Sequence, residues 1–428
     1  MSTRSGPRRS RLFAAAVAAA AVALLATACS SGGGSPSSGV TTISYFTFSA
    51  APSHLGDLNK IVAAFEKANP DIKVDVSSAD YADYFTKLST EIAAGTAPDT
   101  FELDYQDFVN YAASGALLDL GSGSGSGASF DAAAYTPTSV SAFAYGGKQM
   151  GLPESFSDVL LFYNEKLFNQ AHIPYPTASW TWADEMAAAK KLTDKSAGVW
   201  GLFQPVTFNE FYKALAQAGG QFFNASKTKA TFNSPAGVAA AEWLLSKPGT
   251  TMPTLAQIGN TPNFDTNLFT SGKLAMWING NWQFTGLQHV PFGWNVIVEP
   301  GDTTKASAVF LNGVAVSAQT PHAAAAEKWI SFLSSSEVSV QTRVNSAWEL
   351  PPVSNTSLEA SYLKATPPAN RQAVFSAMTA PSYAPVIQQE NQMSDDINNA
   401  LTDAAEGSMS VQAALNQAAT QVDALLAP

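Results

Sequence analysis

Two tryptophans, Trp277 and Trp282, bracket an Asn-Gly pair in the stretch SGKLAMWINGNWQF, residues 271–284. An indole in such a place is core, an interface anchor, or a platform for something flat and half-apolar. Asp80-Tyr81 and Asp104-Tyr105 pair a carboxylate with an aromatic ring, and Phe48 adds a third aromatic position. Each aspartate alone serves equally well as a helix cap; the three positions together point to a binding site. Chemistry that would break bonds is poorly provided for. His54, His172, His289 and His322 are scattered without metal-ligand spacing, so neither metal nor cofactor is expected. Ser361-Tyr362-Leu363-Lys364 matches S-x-x-K by letter but lacks its companion motifs. No G-x-S-x-G and no phosphate-binding loop occurs. Paired acids for glycoside hydrolysis are not decided by counting, because their separation in space sets that chemistry.

The elements that must position these residues follow a β-α-β-α-β-α pattern. VTTISYF (40–46), IKVDVSS (72–78) and DTFELD (99–104) read as strands from their β-branched content and alternation. DLNKIVAAFEKANP (57–70) places Leu58, Ile61, Val62 and Phe65 at helical spacing; DYFTKLSTEIAAG (83–95) and QDFVNYAASG (106–115) are helices closed by glycine. Alternation of this kind predicts a parallel, doubly wound sheet. Ligands of such sheets bind beyond the carboxyl ends of the strands, where Phe48, Asp80, Tyr81, Asp104 and Tyr105 fall. Further on, GSGSGSGAS (121–129) is a surface loop, and 148–168 runs from a hairpin into a strand. Thr181 caps a helix to 194, with Trp180 and Trp182 packing its start. Strands are expected at 292–301 and 308–318, a helix over 322–345, and mostly helix from Tyr362 to Leu426. Trp243 and Trp329 read as core residues of amphipathic helices.

At 428 residues the chain is too long for one core, and two lobes are the expectation. Its net charge of −11 and the lack of a basic stripe speak against nucleic acid as a partner. The single cysteine, Cys29, follows four arginines (Arg4, Arg8, Arg9, Arg11) and an apolar run at 12–26. That is the layout of a secretory signal, and the run is short of the ~20 residues that span a bilayer. Leu25-Ala26-Thr27-Ala28-Cys29 resembles a bacterial lipobox, although Ala26 stands where leucine is usual. The resemblance implies removal of 1–28 and lipidation of Cys29, ahead of a Gly/Ser tether at 29–39.

Seven ordered stretches resemble the extracellular solute-binding proteins of ABC importers, in the maltose-binding-protein-like, sugar-binding group. They are FEKANPDIKVDV (65–76), YFTKLSTEIAAGTAPDTFELD (84–104), NYAASGALLDL (110–120), LLFYNEKLF (160–168), TWADEMAAAKKLT (181–193), FTSGKLAMWINGNWQF (269–284) and AAAAEKWISFLSSSE (323–337). The resemblance implies an α/β, two-lobed type II periplasmic-binding-protein-like fold with a cleft between lobes. One lobe would comprise 40–153 and 314–346, the other 157–308 and 352–428, with crossovers at 154–156, 309–313 and 347–351. It implies a non-enzymatic receptor, monomeric and lipid-anchored on the extracellular face, that hands a mono- or oligosaccharide to importer permease subunits. A sugar's C–H face would lie on Trp282, the family's stacking tryptophan, and Asp104 would accept hydroxyl bonds. Asp80, Tyr81, Phe48, Tyr105, Trp277, Asn279, Asn312, Gly313, Trp348, Glu349 and Asn209 complete the expected site. The alternatives left open are a non-sugar solute, such as a polyamine or glycerophosphate, and a secreted carbohydrate-active enzyme.

Overall fold

The computed structural model describes residues 39–427 apart from 51, 122–134, 136, 260 and 353–355. The leader (1–28), Cys29, the tether through Ser38 and nearly all of the 121–129 loop lie outside the described residues. β1 (Thr41–Thr47), β2 (Ile72–Ser78) and β3 (Thr100–Asp104) alternate with α1 (Leu55–Ala68), α2 (Tyr81–Ala93) and α3 (Tyr105–Ala113). α1 buries Leu58, Ile61 and Phe65 on one face, as its spacing requires. Gly95 and Gly115 end α2 and α3 at φ of 72° and 76°, a region that disfavours any side chain.

The chain continues through α4 (Pro137–Ala142) and a hairpin of β4 (Ala144–Tyr145) and β5 (Lys148–Gln149) into the long β6 (Leu152–Asn164). Then come α5 (Glu165–Ala171), α6 (Trp182–Leu192), α7 (Phe208–Gln217), α8 (Pro235–Leu245), α9 (Leu255–Ile258) and α10 (Phe264–Thr270). β7 (Met276–Gly280), β8 (Trp294–Ile297) and β9 (Ser307–Val316) precede α11 (Ala323–Ser335) and α12 (Glu337–Ser346). α13 (Thr356–Lys364), α14 (Gln372–Ala377), β10 (Pro381–Ser382), α15 (Glu390–Ala405) and α16 (Val411–Leu425) complete the chain. The helix expected over 322–345 is two helices, because Ser336 leaves helical geometry and its hydroxyl caps α12 through Ser339 N. At α6 the expected cap is a full capping box between Thr181 and Asp184.

The main sheet runs β2-β1-β3-β9-β6-β7, with β10 beside β9 and β8 beside β6. β1 pairs parallel with β2 from Thr41↔Ile72 to Thr47↔Ser78, and parallel with β3. The parallel order ends there: β9 lies antiparallel between β3 and β6, and β7 and β8 are antiparallel to β6. The local β-α-β pattern governs only neighbouring segments, whereas β9 reaches β3 from some 200 residues away in sequence.

Four buried clusters flank this sheet. Two form at the β1–β3 end, around Ile43, Phe65 and Trp329 and around Tyr84, Phe101 and Phe108. Two form at the β7–β8 end, around Leu161, Phe211 and Ile397 and around Phe162, Trp277 and Trp294. β6 and β9 supply residues to both ends: Leu152 and Val314 to the first, Val159 and Ala308 to the second. Trp329 is core, as its helical spacing predicts, while Trp243 is only partly buried and stacks on Trp182 at 4.7 Å.

Candidate functional site

β1, β2 and β3 end side by side, so the residues after them share one edge of the sheet. Phe48 is buried there with its ring edge-on to Tyr81 (5.2 Å) and Tyr84 (5.0 Å). Tyr81 keeps 51% of its surface exposed while its hydroxyl donates to Asp104 Oδ2 at 2.6 Å. Asp104 Oδ1 accepts from Asp107 N at 2.8 Å, so this carboxyl caps α3 and fixes the tyrosine at once. Burial raises the Asp104 carboxyl above its ordinary range, against the pull of the Tyr81 and Asp107 bonds. Asp80 precedes α2, exposed, without a side-chain cap bond. Gln106, next to Tyr105, donates to Asn209 Oδ1 at 2.9 Å, which brings α7 against α3.

Tyr105 opens onto a cavity of about 540 Å³, lined also by Ala142, Leu311, Tyr212, Phe222 and Tyr383. Its walls thus come from both ends of the sheet, an arrangement suited to a small ligand. Of that lining, Tyr212 and Tyr383 were not legible in the sequence, because neither stands in a pattern that marks a site.

Trp282 stands apart from that lining. It is half-buried, on a short 3-10 turn at Asn281–Gln283, with Phe310 edge-on at 5.7 Å. Gly280 explains the Asn-Gly pair: a Cβ there would lie 1.8 Å from the indole, so the ring rests on bare backbone. Asn279 and Trp277 instead share Asp265 Oδ2, at 3.1 and 3.0 Å.

Several expected ligand contacts are occupied within the protein. Trp277 is wholly buried against Phe269 and Phe162, because α10 covers that face of β7. Trp348 is also buried, held between the Arg343 guanidinium (3.8 Å) and the parallel His54 ring (5.2 Å). Arg343 in turn pairs with buried Glu154. Gly313 faces Phe143, whose ring would lie 2.6 Å from a Cβ, so its smallness serves packing. Asn312 and Glu349 bind each other at 2.9 Å, and Ser155 donates to the same Glu349 oxygen at 2.6 Å. Those three residues come from β6, β9 and the segment after α12, tying three chain passages at one carboxylate. Among the described residues, no group of three or more His, Cys, Asp or Glu is arranged to hold a metal ion.

Comparison with known proteins places these features. Residues 60–371 match the family described as bacterial extracellular solute-binding protein. The galactooligosaccharide-binding protein of Bacillus subtilis (strain 168) is 26% identical over 374 residues, 84% of each chain. An uncharacterised lipoprotein of Streptomyces antibioticus is 26% identical over 193 residues, 44% of this chain and 42% of its own. The structure of an ABC substrate-binding protein from Listeria monocytogenes in complex with cycloalternan superposes with a TM-score of 0.85 at 43% identity, covering 90% of this chain and 98% of that one.

Proposed function

Because this chain belongs to the bacterial extracellular solute-binding proteins, we propose that it is the carbohydrate receptor of an ABC importer. It captures a mono- or oligosaccharide between two lobes, 40–153 with 314–346 and 157–308 with 352–428, and delivers it to permease subunits. It performs no covalent chemistry, acts as a monomer, and is held on the extracellular face by lipid on Cys29. The similarity of a Streptomyces lipoprotein supports the anchor.

The observation that carries the carbohydrate reading is the Tyr81–Asp104 arrangement. An exposed aromatic face sits beside a carboxylate oxygen, at the strand edge where Asp80 and Tyr105 also project. A sugar ring has C–H faces that lie on aromatic rings and hydroxyls that donate to carboxylates. In this reading Trp282, on its glycine floor, is the opposing platform, and Phe48, Asn209 and Asn279 shape the rim. The crossovers fall at 154–156, 309–313 and 347–351, where Ser155, Asn312 and Glu349 join.

The test is a thermal-shift screen with cycloalternan, maltotetraose and galactooligosaccharides, alongside spermidine and glycerol phosphates. A ligand at 100 times its dissociation constant raises stability by ~2.7 kcal/mol. A shift with carbohydrate, with the sugar recovered intact, is expected. Shifts confined to spermidine or phosphates would transfer the cleft to another solute, and cleaved sugar would make the protein an enzyme.

A further inference from the structure

The N-termini of α3 and α15 meet, and they meet through acids. Asp104, Asp107 and Glu390 are 5%, 8% and 3% exposed. Asp107 N donates to Asp104 Oδ1 at 2.8 Å, and α3 packs directly against α15, so the contact runs from one helix to the other. None of the three carboxylates takes part in an ion pair among the described residues. The groups facing them are no cations either. They are Tyr81 from α2, Tyr111 within α3, Tyr212 from α7 and Asp395 one turn along α15. The Tyr212 hydroxyl is itself buried, next to these acids, with no hydrogen-bond partner.

Carboxyls buried together without a cation do not all stay ionised out of water. Burial, with neighbouring acids second, pushes Asp107 and Glu390 up to about 8. α15 packs on α16, α7 and α8, whereas α3 packs on β3 and β9. If the two helices part, their carboxyls meet water and return to the ordinary range near ~4.

We propose that the α3–α15 contact is a proton-operated latch: the lobes close as Asp107 and Glu390 take up protons, and open as those protons leave. The inference rests on the two-lobed receptor reading but not on which ligand it carries. The groups bind protons more tightly in the closed form. Closure is therefore fully favoured below ~4 and fades as the pH climbs toward about 8. Each titrating carboxyl changes the closed-to-open ratio by about tenfold per pH unit within that window.

Small-angle X-ray scattering on the ligand-free unit Val40–Pro428, which carries every element described, tests this at pH 5, 7 and 9. The expected result is a radius of gyration that grows with pH in the wild type. Asp107→Asn with Glu390→Gln should stay compact throughout, each single variant should flatten the curve partly, and Glu406→Gln, exposed at the far end of α15, should follow the wild type. If the double variant does not fold, as read by circular dichroism, the single variants decide. Equal radii at all three pH values in the wild type would overturn the latch, as would an unchanged curve in folded variants. Because no ligand is present, either result leaves the carbohydrate screen to succeed or fail on its own.

Discussion

At the scale of single residues, Gly280 and Trp282 act as one unit, because the indole occupies the space a side chain at 280 would take. Trp282→Ala should weaken binding of the screened carbohydrate more than tenfold, about 1.4 kcal/mol, with the fold intact by calorimetry. Gly280→Ala should reproduce that loss by displacing the ring. Unchanged affinity in both would take Trp282 out of the site. Asp104 separates two roles in the same way. Asparagine still caps a helix, whereas alanine loses about 1 kcal/mol there. Asp104→Asn should therefore melt near the wild type yet bind sugar poorly, and Asp104→Ala should lose both. Equal melting of the two would dismiss the cap. The cap and ligand readings of Asp104 looked like rivals in the sequence; in the structure Oδ1 takes the cap bond and Oδ2 the Tyr81 hydroxyl. Trp277 and Trp348 misled for the opposite reason: α10 buries one, and His54 with Arg343 the other, from far along the chain. No local pattern records such covering.

Among elements, β1, β2, β3 and their helices were legible to within a few residues, since period, caps and closing glycines agree there. β10 was not, for two residues carry no period, and its pairing with Ser307 and Ala308 is purely tertiary. The junction of β6, β9 and the segment after α12 was likewise invisible, because its hydrogen bonds join residues 37 and 194 positions apart. Glu349→Ala leaves Ser155 and Asn312 without their shared acceptor, so it should destabilise the protein by ~1–3 kcal/mol in urea unfolding. Glu349→Gln keeps one carbonyl and should fall between. Wild-type stability in Glu349→Ala would show that the junction bears no strain from its loss.

For the whole molecule, the interior holds carboxyls that burial pushes well above their ordinary range. Glu102 is pushed up to about 8 by burial and by nearby Glu154 and Glu349, although Thr47, Phe48 and Ser49 donate to it. Glu299 reaches about 8 and Glu185 about 7 for the same first reason. Groups whose folded values lie above their unfolded ones stabilise the fold most below ~4.5 and lose that contribution as pH rises through the folded value. The melting temperature should therefore fall between pH 5 and 9, and Glu102→Gln should make the fall shallower. A flat profile in the wild type would contradict the assignment. The acidity of the chain was plain from composition, but which acids it hides follows only from the packing.

The side-by-side passage of β6, β9 and Leu350, which bridges to Phe156, has a consequence for durability. Severing the polypeptide at any one of the three strands of connection leaves the other two running between the ends of the sheet. A protease would have to cut three times, at buried sites, before the two ends could drift apart. For a protein working outside the cell, that makes a single nick survivable.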